Sequence, residues 1–244
     1  CLYDIFSLEM NCLRPIAYMQ WRGFNYDTQA AEGLCEELIE IAEAKKLDFL
    51  QCLDDSLRDR HPEDSSKWLP RDPDGSFNTR AKDSGHIRLG TKRYKGFNPA
   101  STQQMAKKFE EAGIRLPPTE KGTPSLDQNL LAYIRNQYAL ADMYLIWRKS
   151  NTRVSDIEKL LKAVGPDGRI HCNYKQMGTD TGRLSAEKPN LQQVNRTSDF
   201  RSKFIAAPGY VLVVADFSQV ELRVAAHLSQ EERMITAYKN GRDL

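Results

Sequence analysis

The chain has 244 residues, 40% hydrophobic and 28% charged, enough apolar content for one or two buried cores in a soluble protein. A formal net charge of only +2 excludes binding to nucleic acid by global attraction, so any such binding must come from local basic patches. No apolar run has the length of a membrane span and no leader pattern is visible; Cys1, Cys12, Cys35, Cys52 and Cys172 form neither CxxC pairs nor a His-rich ligand set, which reads as reduced, mostly structural thiols in a cytoplasmic protein without a membrane partner.

Residues 5 to 53 are expected to form helix, break, helix. Glu9 to Gln20 is the first helical stretch, Trp21 to Asp27 a turn, and Thr28 to Leu53 an amphipathic helix with Leu34, Leu38, Ile41 and Leu50 on its apolar face. Residues 54 to 96 are punctuated by Pro62, Pro70, Pro73, Asp74-Gly75, Gly85 and Gly90 and read as an insertion. Six cations within it (Arg80, Lys82, Arg88, Lys92, Arg93, Lys95) face one acid, Asp83. They suit either DNA phosphates or a partner, or else a solvated loop carrying a short hairpin.

From Phe97 the order is restored. Asn98-Pro99 opens a short helix that Ser101 caps and Gly113 ends. Leu130 to Lys149 reads as a long helix with Leu131, Ile134, Tyr138, Leu145 and Ile146 on overlapping apolar faces. At its expected end, Arg148, Lys149, Ser150, Asn151, Thr152 and Arg153 put three cations beside three small hydrogen-bonding side chains. Such a set can hold a phosphate backbone without reading bases, and it can equally answer a helix dipole.

The last third carries the chemistry. His171-Cys172 reads as strand packing rather than a metal pair. Tyr210 to Ala215 is a continuous apolar run expected to be a strand buried on both faces, with Asp216 at its end. A carboxylate held at the rim of a sheet needs a cation or hydrogen bonds to offset its burial. Val220, Val224, Ala225 and Leu228 then recur at helical spacing after Ser218, and Ser218-Gln219-Val220-Glu221 fits a capping box. Arg223 and His227 fit the solvated face of that helix. From the residues alone this is a metal site or an ordinary strand-to-helix turn.

The run ADFSQVELRVAAHLS (Ala215 to Ser229) resembles the first palm motif of family A DNA polymerases, whose usual form is close to D-Y-S-Q-I-E-L-R. Upstream, TGRLS (Thr181 to Ser185), PNLQ (Pro189 to Gln192) and Phe204-Ile205-Ala206 resemble further elements of that family in the expected order. Gln193 stands where the family usually has asparagine, and Phe217 where tyrosine is commoner. LEMNCLRPIAYMQ (Leu8 to Gln20) with Gly23 and Asp27 resembles the family's segment before the thumb, with its proline displaced, and Phe97 to Ile134 follows another family pattern.

This resemblance implies an α/β (α+β) fold: a mainly helical thumb followed by the start of an antiparallel palm sheet, an incomplete polymerase hand. Residues 1 to 53 lead into the thumb, 54 to 96 are the insertion, 97 to 165 the thumb helices, and 166 to 244 the N-terminal part of the palm. It implies two Mg²⁺ ions, with Mn²⁺ able to substitute, held by Asp216 as the catalytic carboxylate and by the Phe217 carbonyl. Ser218, Gln219 and Glu221 would bind the deoxynucleoside triphosphate, Glu221 leaving no room for a 2′ hydroxyl. Arg183, Asn190 and Gln192 would meet primer–template DNA near the primer end, where the minor groove offers acceptors common to all correct pairs. Arg223 and residues 148 to 153 would also touch DNA.

The insertion over 54 to 96 points to a phage-like member, and nothing resembling the family's fingers helix or later palm motif is present, so the expectation is a split polymerase. It would be completed by a second polypeptide, inactive alone, and placed in a nucleoid or an infected-cell cytoplasm. Two alternatives stay open at this point. One is a noncatalytic primer–template module using Arg148, Lys149, Arg153 and Arg183; the other is a small metal-dependent phosphohydrolase built on Asp216 and Glu221.

Overall fold

The computed structural model describes residues 2–72, 74–78, 97–117 and 126–242. The basic run from Arg80 to Lys95 lies outside the described residues. The chain divides into two compact units, Cys1–Phe204 and Ile205–Leu244.

In the first unit, helix α1 (Leu2–Arg22) ends at Gly23, whose φ of 60° reverses the chain into strand β1 (Phe24–Asn25). The predicted turn between two helices thus holds a short strand. Asp27 caps helix α2 (Thr28–Arg60), its carboxylate accepting from the Ala30 amide at 3.0 Å. The helix runs seven residues past the predicted Leu53, because Leu53 and Leu57 keep its apolar face buried.

Ser101 caps α3 (Thr102–Glu111) by accepting from the Gln104 amide, and Gly113 follows with φ of 86°, as the sequence predicts. The long helix expected over Leu130 to Lys149 is two helices, α4 (Gln128–Ile134) and α5 (Ala139–Lys162). Between them the amides of Gln137 and Tyr138 both return to the Ile134 carbonyl, and Arg135 pairs with Asp142 across the break at 3.1 Å. Val154, Ile157, Leu160 and Leu161 continue the apolar spacing beyond Lys149 and pack in a core, which is why α5 does not stop there.

Helices α2 and α5 pair lengthwise in opposite directions and form the spine of two cores. In one, Phe49, Leu50, Leu53 and Leu57 of α2 meet Leu140, Ala141, Tyr144 and Trp147 of α5, with Phe109 of α3 and Leu131 of α4. Phe49 stacks parallel to Trp147 with centroids 5.8 Å apart. In the other, Ala31, Cys35 and Leu38 meet Ile157 and Leu160, with Tyr26, Ile170 and Phe200. Burying such side chains is worth roughly 1.5–3 kcal/mol each, so the helix pair dominates this unit.

One charge is buried inside it. Asp54 is 0% exposed, and its carboxylate accepts from Arg58 Nε and Arg71 Nη2 at 2.9 Å and from the Leu69 amide at 3.0 Å. Burial pushes its pKa up, but Arg71, the Leu69 amide and Arg58 outweigh burial and hold the carboxyl below its usual range. The bonds pin the start of the insertion to α2.

Two small antiparallel sheets complete the unit. Strand β1 pairs with β2 (Arg169–Ile170), Phe24 opposite Ile170. Strand β3 (Asn173–Lys175) pairs with β4 (Ser185–Glu187), Tyr174 opposite Ala186. Helix α6 (Ser198–Arg201) sets Phe200 into the second core. His171, between β2 and β3, is half-exposed and does not pack as a strand residue. Its Nδ1 meets the Gln20 carbonyl of α1 at 2.8 Å and its Nε2 meets Asp167 Oδ2 at 3.0 Å.

The second unit holds α7 (Val220–Ser229) and α8 (Glu232–Lys239), which pack on each other. The buried strand expected over Tyr210 to Ala215 is not formed. The segment is irregular, with Val211, Val213 and Val214 at 82, 85 and 93% exposure. A two-faced buried strand needs neighbours for its backbone and side chains, and among the described residues of this unit there is no strand to pair with it.

Candidate functional site

Asp216 lies at the end of that exposed apolar run and is itself exposed. The turn after it differs from a capping box. The helix cap falls on Gln219, one residue later than the S-x-x-E frame requires, and its side chain makes no capping bond. Gln219 takes φ 49°, ψ 37°, a left-handed conformation uncommon for a residue with a Cβ. Its carboxamide is drawn elsewhere: Tyr238 Oη of α8 donates to Gln219 Oε1 at 2.9 Å. Arg223, one turn into α7, donates from Nε to the Ser218 carbonyl at 2.9 Å. Glu221 stands in the first turn of α7, where the helix N-terminus favours a carboxylate. One short segment thus presents Asp216, the Phe217 carbonyl, Ser218, Gln219, Glu221 and Arg223.

In the first unit the basic set lies inside α5, not at a helix end. Ser150 and Thr152 donate their hydroxyls to the carbonyls of Ile146 and Arg148, four residues back, at 3.1 and 2.8 Å. This satisfies them within the helix. Arg148 lies over the Tyr144 ring and donates to the Leu126 carbonyl at 3.1 Å. Lys149 and Asn151 are exposed. Arg153 forms an ion pair with Asp199 and lies near the Phe200 ring. Burial acts to raise the Asp199 pKa, while the Thr197 hydroxyl and Arg153 lower it further, leaving the carboxyl below its usual range. Arg153 therefore joins α5 to α6.

Arg183 and Gln192 lie on either side of β4, Arg183 in the loop before it and Gln192 in the 3-10 turn after it. Gly182, with φ 73°, closes a turn in which Thr179 Oγ1 accepts from the Arg183 amide at 3.0 Å. Gln192 Nε2 donates to the Leu184 carbonyl at 2.9 Å, and Asn190 caps the following turn by accepting from the Gln192 amide at 3.1 Å. Asn190 and Gln193 also line a concave surface with Asp156 and Lys159 of α5. Tyr238 is the neighbour of the Asp216 turn that sequence patterning misses, because a contact across nineteen residues and a helix junction leaves no periodic signal.

The Asp216 carboxylate and Phe217 carbonyl are hard oxygen donors of the kind Mg²⁺ takes. Among the described residues no group of three His, Cys, Asp or Glu side chains gathers around them or anywhere else.

The signature of DNA polymerase family A matches residues 82–244. DNA polymerase I of Treponema pallidum (strain Nichols) is 36% identical over 156 residues, covering 61% of this chain and 15% of that protein. The thermostable DNA polymerase I of Thermus thermophilus is 39% identical over 157 residues, 61% of this chain and 19% of that protein. The chain therefore spans under a fifth of either relative. Among solved structures, the POL domain of Pol1 from M. smegmatis in complex with DNA primer-template and dNTP aligns with a TM-score of 0.67 at 23% identity, over 97% of this chain and 36% of that one. That likeness establishes the fold.

Proposed function

Because the chain belongs to DNA polymerase family A, we propose that it forms the thumb and first palm portion of a template-directed DNA polymerase, which adds deoxynucleotides to a primer 3′ end. The observation that carries the proposal is the segment from Asp216 to Arg223, in which the family's motif residues are gathered on one turn and the first turn of α7. Asp216 and the Phe217 carbonyl would hold two Mg²⁺ ions. Bound there, such ions stabilise the attacking and leaving oxygens of an in-line phosphoryl transfer.

The remaining roles belong to this chain's own groups. Ser218, Gln219 and Glu221 frame the incoming nucleotide, and Glu221 excludes the 2′ hydroxyl of a ribonucleotide. Arg183, Asn190 and Gln192 receive the primer end through minor-groove acceptors that every correct pair presents. On α5, the exposed Lys149 and Asn151 are suited to DNA phosphates together with Arg148, whereas the Asp199 pair of Arg153 supports a structural role for it. A solved neighbour bound to DNA primer-template and dNTP supports this assignment of partners.

The exposed apolar run Val211 to Val214 supports a palm sheet completed by strands outside these residues. We assign those strands and the fingers to parts of the polymerase outside these residues, and the assembled enzyme to the cytoplasm, within a nucleoid or a phage-infected cell. The test is primer extension with Mg²⁺ and four deoxynucleotides, by the chain alone and mixed with a fingers–palm fragment of a family A polymerase. Extension by the mixture, abolished by Asp216→Ala with primer–template affinity retained, is the expected result. Undiminished extension by the Asp216→Ala variant would overturn the catalytic assignment, and extension by these residues alone would overturn the need for strands and fingers outside them.

A further inference from the structure

The turn that joins Asp216 to α7 is clamped from α8. Tyr238 grips it twice: its hydroxyl donates to Gln219 Oε1 at 2.9 Å, and its ring lies 4.5 Å beneath the guanidinium of Arg223. Arg223 closes the circuit by donating to the Ser218 carbonyl at 2.9 Å. Both residues of the turn, Ser218 and Gln219, are therefore fixed through one aromatic side chain. The strain of the circuit falls on Gln219, held left-handed at φ 49°, which sets the angle at which the chain leaves Asp216 and enters the helix bearing Glu221.

A left-handed non-glycine residue persists only where its surroundings over-determine it. Here the Gln219 carboxamide accepts from Tyr238 and makes no capping bond to α7, so its side chain is held toward α8 across the turn. The packing of α7 on α8 does not require a hydroxyl at position 238, since a phenyl ring would stack under Arg223 equally well. Among the described residues of this unit the hydroxyl bonds to Gln219, a residue of the turn.

We propose that Tyr238 is a positioning residue for the nucleotide site, its hydroxyl holding Gln219 so that Asp216 and Glu221 present a fixed separation to the incoming nucleotide. The inference rests on the polymerase assignment above and adds to it a residue in α8 that touches no substrate. Its effect belongs to nucleotide binding and sugar choice, the properties set by the turn, and not to DNA affinity.

The test is steady-state kinetics on the complete polymerase carrying this chain, with Tyr238→Phe, Gln219→Leu and the double variant. Tyr238→Phe is expected to raise KM for deoxynucleotides about 3- to 10-fold, the effect of losing one hydrogen bond. Discrimination against ribonucleotides should fall by a similar factor, while primer–template Kd and melting midpoint stay at their wild-type values. Gln219→Leu removes the same bond from the other side, and the double variant should be no worse than the more affected single, because both act through one contact.

Wild-type KM and sugar discrimination in Tyr238→Phe would overturn the proposal. So would additive losses in the double variant, or losses that track a lowered melting midpoint, which would make Tyr238 a packing residue. Asp216→Ala serves as the separate control: if it extends primers normally, the catalytic assignment of the turn fails, whatever the Tyr238 variants do.

Discussion

Glu221 shows how one side chain can answer to two physical demands. As a carboxylate in the first turn of α7 it stabilises the helix by about 0.3–1 kcal/mol; as a steric gate it would choose the sugar. The two are separable because the helix cap falls on Gln219 and not on Ser218. Glu221→Ala is expected to lower stability by no more than that dipole contribution in chemical denaturation, yet to raise ribonucleotide incorporation at least tenfold, about 1.4 kcal/mol of lost discrimination. Unchanged sugar choice in a single-nucleotide insertion assay would leave only the helix role. Residue identity was legible here from the motif run alone, whereas residue employment was not. Arg153 reads from its neighbours as a phosphate contact, but its partner Asp199 lies 46 positions away, and only folding decides which charge it meets.

At the scale of elements, sequence patterning succeeds where the signal is local. Ser101 caps α3 as read, because it directly precedes a helical run; Asp27, read only as the end of a turn, caps α2 from the same kind of position. Patterning fails at the break between α4 and α5, where the helix-formers Arg135 and Gln137 stand in a non-helical turn with Asn136 between them, and at Tyr210 to Ala215, where strand propensity has no partner strand among the described residues of its unit. His171 shows a third kind of failure. Both its partners, the Gln20 carbonyl and Asp167 Oδ2, are acceptors, and only the imidazolium donates from both nitrogens. The Gln20 carbonyl first, then Asp167, raise its pKa above the ordinary 6.5. The folded state binds this proton more tightly than the unfolded chain, so the added stability is fully present below pH 6.5 and is lost as pH rises through the raised folded value. Amides near the C-terminal turn of α1 should exchange faster as pH rises across that window, after correction for intrinsic rates. His171→Gln should remove the dependence, and a pH dependence that survives it would place the titrating group elsewhere.

For the molecule as a whole, the apolar surface is distributed unevenly. Unit Cys1–Phe204 closes two cores around α2 and α5, while Val211, Val213 and Val214 of the other unit stay almost fully exposed. A formal charge of only +2 gives little repulsion to keep such surfaces apart, and an unpaired, β-branched run is a template for association with other chains. The same run is what a completed palm sheet would bury. The two consequences are opposed and can be set against each other in one variant. Val211→Lys with Val213→Lys is expected to keep the purified chain monomeric at concentrations where the parent associates in sedimentation velocity, since charges on a free strand edge block pairing. In the mixing assay the same variant should lose primer extension by a factor of ten or more, because two buried valines would be replaced by charges that cost several kcal/mol to desolvate. Gain of solubility with full complementation would mean that the run remains at the surface of the assembled enzyme, and the strand reading of Tyr210 to Ala215 would fall with it.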